Sequence, residues 1–409
     1  MNSIKEHIRL GFIEPFRSPG LFLVYIAAMF GVAGIFGAQI FLTFNLAQQG
    51  PTEVMVYLGM RFLLVNFLWL PWLLYISERW KWRNFIAVQC ILSAICMVYI
   101  ILCADTILAD GGYINTIILG VINAIVPGGF WALYHSLMTA NASDDNHGND
   151  ISIADIALTI GNIFGAILAG VSLAFIPGVI FLSGCFICIF ISIFIFGYNI
   201  KKHPPHQRPY PLLLIWHALY KKPKRTINSA LQGAHHLMLT FLTPVWLAVI
   251  GLSGLGTGLV MALQTFLKFI ISPFVGHMTN QNHGKEGIVG TTITTAGWLP
   301  WLFTQAHWLL LPSSVLWFIG SQFYLIGVSS RWYMERSTAY PAARELCLGA
   351  GRMVAVLIGV PLLYWNVTAF FIFVTALSVL TVISSLSEAK SLRRTLQITP
   401  PLAADALSE

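Results

Sequence analysis

The chain has 409 residues, 57% of them apolar and only 10% charged, against roughly 25% charged in an ordinary globular protein. So little charge cannot cover a soluble fold of this size, which points to an integral membrane protein and excludes a nucleic-acid-binding domain, a disulfide scaffold and a disordered chain. The net charge of +7 matters less as a sum than through where the basic residues fall.

A helix needs about 20 apolar residues to cross the hydrocarbon core. Twelve runs of that length are predicted, at 20–46, 53–77, 84–104, 112–140, 151–175, 177–199, 230–252, 254–279, 286–305, 308–329, 342–364 and 367–387. Turn residues part them, as in Gln49-Gly50-Pro51 and Ile176-Pro177-Gly178. Spans 9 and 10 are separated only by Gln305-Ala306-His307. Of the 23 Lys and Arg, only Arg61, Lys268 and Arg352 lie deep inside runs; the others lie outside them or, as Arg344, within three residues of a run's end. With twelve spans, every one of these falls on a single side. The positive-inside rule makes that side cytoplasmic, with both termini on it.

The chain therefore divides into an N-terminal segment 1–19, a six-helix bundle 20–199, a central loop 200–229, a second bundle 230–387 and a tail 388–409. Residues 212–220 read as a solvated linker or as a helix at the inner leaflet, its basic flank on lipid phosphates. No cleavable signal is expected, since Glu6 and Glu14 precede a first apolar run of full span length. Cys185 and Cys188 have metal-ligand spacing but sit in an apolar helix, and read as small buried hydrophobes.

A shift of 190 residues pairs Asp155 with Glu345, Leu158 with Leu348 and Gly161 with Gly351. Spans 5 and 11 thus each carry a carboxylate near the cytoplasmic end, six residues before a glycine. With the six-loop-six layout, this points to parallel repeats about an axis along the membrane normal.

Span 5 reads Gly161-Asn-Ile-Phe-Gly165-Ala-Ile-Leu-Ala169-Gly170, similar to the fifth-helix pattern GxxxGPxxGG, with Ala166 for the Pro and Ala169 for one Gly. Gly276-His-Met-Thr-Asn280, then Gly284-Lys285, is similar to the 8–9 loop pattern GxxxDRxGRR, with Asn280 in the Asp position. Residues 77–83 keep the basic character of the matching 2–3 loop. On these motifs and on topology the chain resembles the major facilitator superfamily. The resemblance implies an all-α integral membrane protein with twelve transmembrane helices in two pseudo-symmetric six-helix bundles. It also implies a secondary active transporter that works by alternating access, with proton coupling as the default energy source. Gly161, Gly165 and Gly170 are expected to admit a close helix and to touch no ligand.

Charges inside the spans mark the candidate site, because an ionised side chain is costly there and faces the bundle interior. Lys268 lies near the midplane of span 8, with Gln264 one turn away on the same face. Arg61 lies in span 2, and α-helical spacing puts Asn66 on a different flank. Arg352 is two turns from Glu345 on one face of span 11, so a neighbouring helix could bridge the two. Acids are nearly absent from this depth, and a net positive cavity is expected. Lys268, Arg61, Gln264 and Arg352 are the substrate-binding candidates. Their chemistry suits a small organic anion such as a carboxylate-type compound or a siderophore.

Asp155 with His135, and Glu345 with Glu335 and Arg344, are the candidates for proton coupling or gating. The plainer readings are a Lys268 paired with a hidden acid, a His135 that is a polar anchor, and loop charges that are merely solvated. No cofactor or metal is expected, and no GxxxxGK[ST] phosphate loop is present. The expected partners are a small-molecule substrate, protons and the lipid bilayer, with no nucleic acid and a monomeric state. An embedded transferase, or a receptor or scaffold that does not transport, remains an alternative to a transporter. The topology is tested by accessibility: a cysteine placed at 49–51 should label from outside and a tag within 200–229 only from the cytoplasm. Labelling of both from one side would remove the twelve-span reading.

Overall fold

The computed structural model describes residues 18–110, 112–141, 147–202, 211–281, 285–304, 309–333 and 337–398. Among these residues the chain is helical, without a strand. The first six helices are α1 (Pro19–Gln49), α2 (Pro51–Ser77), α3 (Trp82–Asp110), α4 (Tyr113–Asn141), α5 (His147–Phe175) and α6 (Gly178–Lys202). A short α7 (Leu213–Lys221) leads into α8 (Pro223–Thr240) and α9 (Leu242–Val249). The rest are α10 (Gly254–Gln281), α11 (Lys285–Trp298), α12 (Leu310–Tyr333), α13 (Ala339–Trp365) and α14 (Val367–Ile398).

Nine helices among the described residues are long and apolar enough to cross a membrane: α1 to α6, α10, α13 and α14. Of the remaining three expected spans, span 10 is the continuous helix α12, while spans 7 and 9 are broken. Span 7 is split into α8 and α9, and it starts at Pro223 rather than at 230. Lys222 is non-helical there and proline opens the helix, its missing N–H being no loss at the first position. Polar residues 224–229 then continue the helix, because backbone hydrogen bonding and not apolarity sets its end. Span 9 is the threonine-rich α11 closed by a 3-10 turn over Leu299–Leu302, where Pro300 interrupts the α register.

Two proline-linked irregularities shape the interior. Pro244 lacks the N–H that would bond the carbonyl of Thr240 four residues back. The helix breaks between α8 and α9, and Gln39 Nε2 of α1 donates to the freed Thr240 carbonyl at 3.4 Å. In α2, residues Leu63–Trp69 form a π turn whose last bond runs from Leu70 N–H to Val65 O, just before Pro71. In that wider turn residues five apart return to one side. Arg61 and Asn66 consequently line the same cavity, whereas α-helical spacing separates them.

The packing repeats itself between the halves. α1 lies on α5 and α6, as α8 lies on α13 and α14. α2 lies on α4 as α10 lies on α12, and α3 on α6 as α11 on α14. The halves meet where α5 packs on α10 and where α2 packs on α13, two contacts that exchange under the same symmetry. Glycines allow the tightest of these approaches. A Cβ on Gly161 would lie 2.3 Å from the Met29 carbonyl of α1, and one on Gly165 would lie 2.6 Å from that of Ala33. In the other half, a Cβ on Gly351 would lie 1.7 Å from the Ala230 carbonyl of α8. The paired glycines of the 190-residue shift therefore hold equivalent helix contacts. Gly170 serves the junction between halves, its Cβ position being 2.9 Å from Gly258 Cα of α10.

Replacing Gly351 by Ala or Gly165 by Leu should lower stability by about 1–3 kcal/mol through overpacking. Gly184→Ala should be neutral or stabilising, since Gly184 meets open space and alanine is the better helix former. Thermal unfolding of the three purified variants in detergent checks the contrast.

Candidate functional site

A cavity of about 210 Å³ lies between the halves, below the roughly 300–1,000 Å³ of pockets that take drug-sized ligands. Side chains of α1, α2, α4, α5, α8, α10, α12 and α13 line it, while α3, α6, α11 and α14 contribute none of the described lining. Four basic residues reach its wall (Arg61, Lys268, Arg344, Arg352), together with two acids (Asp155, Glu345) and two histidines (His135, His236). The cavity is net positive, as expected. Yet both acids reach the cavity wall, whereas the sequence reading left them near the helix ends. Each sits a few residues inside its helix, at about 1.5 Å of rise per residue, which carries it well below the surface.

Glu345 of α13 organises one cluster. Its carboxylate accepts from Asn66 Nδ2 of α2 at 2.9 Å and from the adjacent Arg344 Nη1 at 3.0 Å. Arg352 Nη1 lies 3.7 Å from Glu345 and donates to Asn66 Oδ1 at 3.0 Å. Asn66 thus bridges acid and base from the opposite half, using its carbonyl toward the guanidinium and its amide toward the carboxylate. His135 Nε2 of α4 is 3.7 Å from Glu345, and its Nδ1 is hydrogen-bonded to the Tyr333 hydroxyl of α12.

Asp155 of α5 organises the other cluster. It accepts from Gln322 Nε2 of α12 at 2.6 Å and from Ser272 Oγ of α10 at 2.9 Å. Lys268, one turn before Ser272, lines the same cavity as Asp155, and the Lys268 ammonium lies over the Phe318 ring at 4.9 Å. Ser152 Oγ of α5 donates to the Ser272 carbonyl at 2.6 Å. The two clusters correspond under exchange of the halves: an acid of α5 meets α10 and α12, and an acid of α13 meets α2 and α4. Each acid bonds across the halves. His135 therefore meets Glu345 and Tyr333, and the expected His135–Asp155 pairing gives way to two cross-half pairings. Asp155 is the acid of this cluster that shares the cavity with Lys268, and no ion pair within 4.0 Å joins the two among the described residues.

Arg61 differs from Arg344 and Arg352, which contact Glu345. It is 5% exposed and lies against aromatic faces, 4.7 Å from the Phe241 ring centroid and 5.6 Å from that of Phe62. Tyr57, one turn back, hydrogen-bonds it, and Nη1 has no partner. No carboxylate is paired with it among the described residues. Phe241 stands at the break made by Pro244, so the helix interruption supplies one wall of the Arg61 site.

Other candidates lie elsewhere. Gln264 donates to Ser314 Oγ of α12 at 2.7 Å and is absent from the cavity lining, because at its depth α10 packs directly on α12. His235 is engaged by Trp298 and Ser378. Glu335 lies outside the described residues. Gln322, Tyr333 and Asn66 are the functional neighbours that sequence reasoning passed over. The usable signal was an uncharged polar side chain isolated in an apolar run.

Removing the Asn66 bridge leaves both Glu345 and Arg352 short of a buried partner. Asn66→Ala should therefore cost about 1–3 kcal/mol of stability, read as a lower melting temperature, while Asn162→Ala on the same cavity wall should cost less.

The family model of the Major Facilitator Superfamily matches residues 21–332. The crystal structure of the human organic anion transporter MFSD10 (TETRAN) is similar in fold, with a TM-score of 0.69 and 10% identity, covering 90% of this chain and 100% of that chain. No curated protein matches by sequence.

Proposed function

The chain belongs to the Major Facilitator Superfamily, and we propose that the solute this secondary transporter carries across the membrane is a small organic anion. The observation that carries the reading is Arg61. A buried, ionised guanidinium without a carboxylate is costly unless something pairs with it, and this one lines a positive cavity with a free N–H group. A carboxylate of the solute supplies that partner through charge-assisted hydrogen bonds. Sequence depth ranks Lys268 ahead of Arg61; Arg61 is placed first here because Lys268 shares the cavity with the acid Asp155.

The cavity volume favours a small carboxylate over a siderophore. The solved protein of similar fold carries organic anions, which agrees with this class without establishing it here. The protein works as a monomer in the cytoplasmic membrane, with both termini inside. Coupling to protons runs through the two cross-half acids. An ionised Asp155 or Glu345 holds the halves together through its cation and its hydrogen bonds, and protonation loosens that hold as the halves rock.

Arg61→Gln should keep its fold and lose anion affinity by roughly 10–100-fold, the worth of a charge-assisted hydrogen bond. The measurement is thermal shift and titration of the purified protein against a panel of small carboxylates. Full affinity in a stable Arg61→Gln protein would remove the anion reading. Lys268→Gln should destabilise by leaving Asp155 without its cation, and Asp155→Asn in the same chain should restore the melting temperature. In proteoliposomes, Asp155→Asn alone should abolish accumulation driven by a proton gradient.

A further inference from the structure

Most polar side chains of the cavity have partners within the protein. Gln232 of α8 stands apart, because none of its polar side-chain atoms has one. It is 2% exposed, lines the cavity, and neither its amide nitrogen nor its amide oxygen has a hydrogen-bond partner. Among the described residues it is the one buried amide whose nitrogen and oxygen are both unmet. His236 follows four residues later, one helical turn along the same face. It also lines the cavity, and its Nδ1 is unpartnered.

The rotation of α8 that presents these two is set from its opposite side. A Cβ on Gly233 would lie 2.1 Å from the Leu348 carbonyl of α13, and Gly351 of α13 closes on Ala230 and Ala234. With those small residues locked on α13, Gln232 and His236 have no freedom to turn toward another helix. The cations Arg352, Lys268 and Arg344 face His236, so the pair adjoins the positive part of the cavity.

A buried amide with both groups unmet is expensive, and a fold retains one where a ligand completes it. We infer that Gln232 and His236 form a second, uncharged subsite that reads a neutral donor–acceptor group, an amide or a hydroxyl, on the same solute whose carboxylate sits at Arg61. The inference rests on the anion reading above and narrows it to carboxylates that carry an amide or hydroxyl. A carboxamide donates and accepts at once, as Gln232 does, so the two amides satisfy each other. An analogue with a methyl in place of the amino or hydroxyl group cannot donate to the Gln232 oxygen, which stays unmet, and binds more weakly.

The test uses the full-length purified protein and three matched pairs of probes. Succinamate is set against levulinate, glutaramate against 5-oxohexanoate, and 3-hydroxybutyrate against 3-methylbutyrate. Within each pair a methyl replaces the amino or hydroxyl group at nearly constant shape. In the wild type, the amide or hydroxyl member of at least one pair should bind about tenfold tighter or more. Gln232→Met should collapse that ratio to near one, whereas Arg61→Gln should weaken both members together.

A second readout needs no ligand. Removing the unmet amide should raise the melting temperature of ligand-free Gln232→Met above that of the wild type. Equal binding of both members in every pair, unchanged by Gln232→Met, would overturn the subsite and leave the anion reading standing. Failure of every carboxylate to bind the wild type would remove both readings. A lower melting temperature for ligand-free Gln232→Met would assign the amide a structural role and overturn the subsite.

Discussion

Two carboxylates, one from each half, are buried where the halves meet, and much of the architecture answers the need to satisfy them. A buried acid has to be paired and hydrogen-bonded, and Asp155 and Glu345 find these partners across the interface. Asp155 reaches Ser272 and Gln322. Glu345 reaches Asn66 and His135, with Arg344 and Arg352 close on its own helix. The same bonds that keep the acids in place therefore hold α5 to α10 and α12, and α13 to α2 and α4. The cavity and the contact between halves are thus built from the same buried groups.

Apolar packing sets the stage for those bonds. The hydrophobic effect inserts the helices but does not choose their partners, because lipid is as apolar as leucine. Small residues choose. Gly161 and Gly165 bring α5 onto α1, Gly351 and Gly233 bring α13 onto α8, and Gly170 meets Gly258 at the junction. Once backbones lie this close, rotation about each helix axis is restricted, and the rotation decides which polar side chains face the cavity. Proline then adds local departures. The break at Pro244 sets Phe241 beside Arg61, and the π turn before Pro71 swings Asn66 to the side of Arg61.

The result is a cavity with unequal cations. Arg344 and Arg352 have Glu345, and Lys268 shares the cavity with Asp155. Arg61 has only aromatic faces and a phenol. Net charge alone does not single it out; the distribution of partners does. The unmet amide of Gln232 is a defect of the same kind, and a solute that satisfies both needs one charged end and one neutral polar group.

Span lengths, the basic bias of the loops and the 190-residue correspondence were all legible in the chain, because each depends on local composition or on spacing along one helix. An apolar run long enough to cross a bilayer has few alternatives to helix, since every backbone group has to be bonded internally. The charged residues inside spans were legible as a set for the same reason, each being too costly to place without purpose. Their partners were not. Asp155 was read against His135 and meets Ser272 and Gln322 instead, and Gln264 was read beside Lys268 in the site yet bonds Ser314. Residues five apart in α2 were read as diverging and converge. The sequence by itself determined a helical membrane protein in two related halves, with its charge buried between them. Tertiary structure alone decided which buried charge meets a carboxylate and which meets aromatic faces. The reason is physical: a helix declares its length and its faces locally, but the partner of a buried polar group depends on how helices distant in sequence rotate and approach.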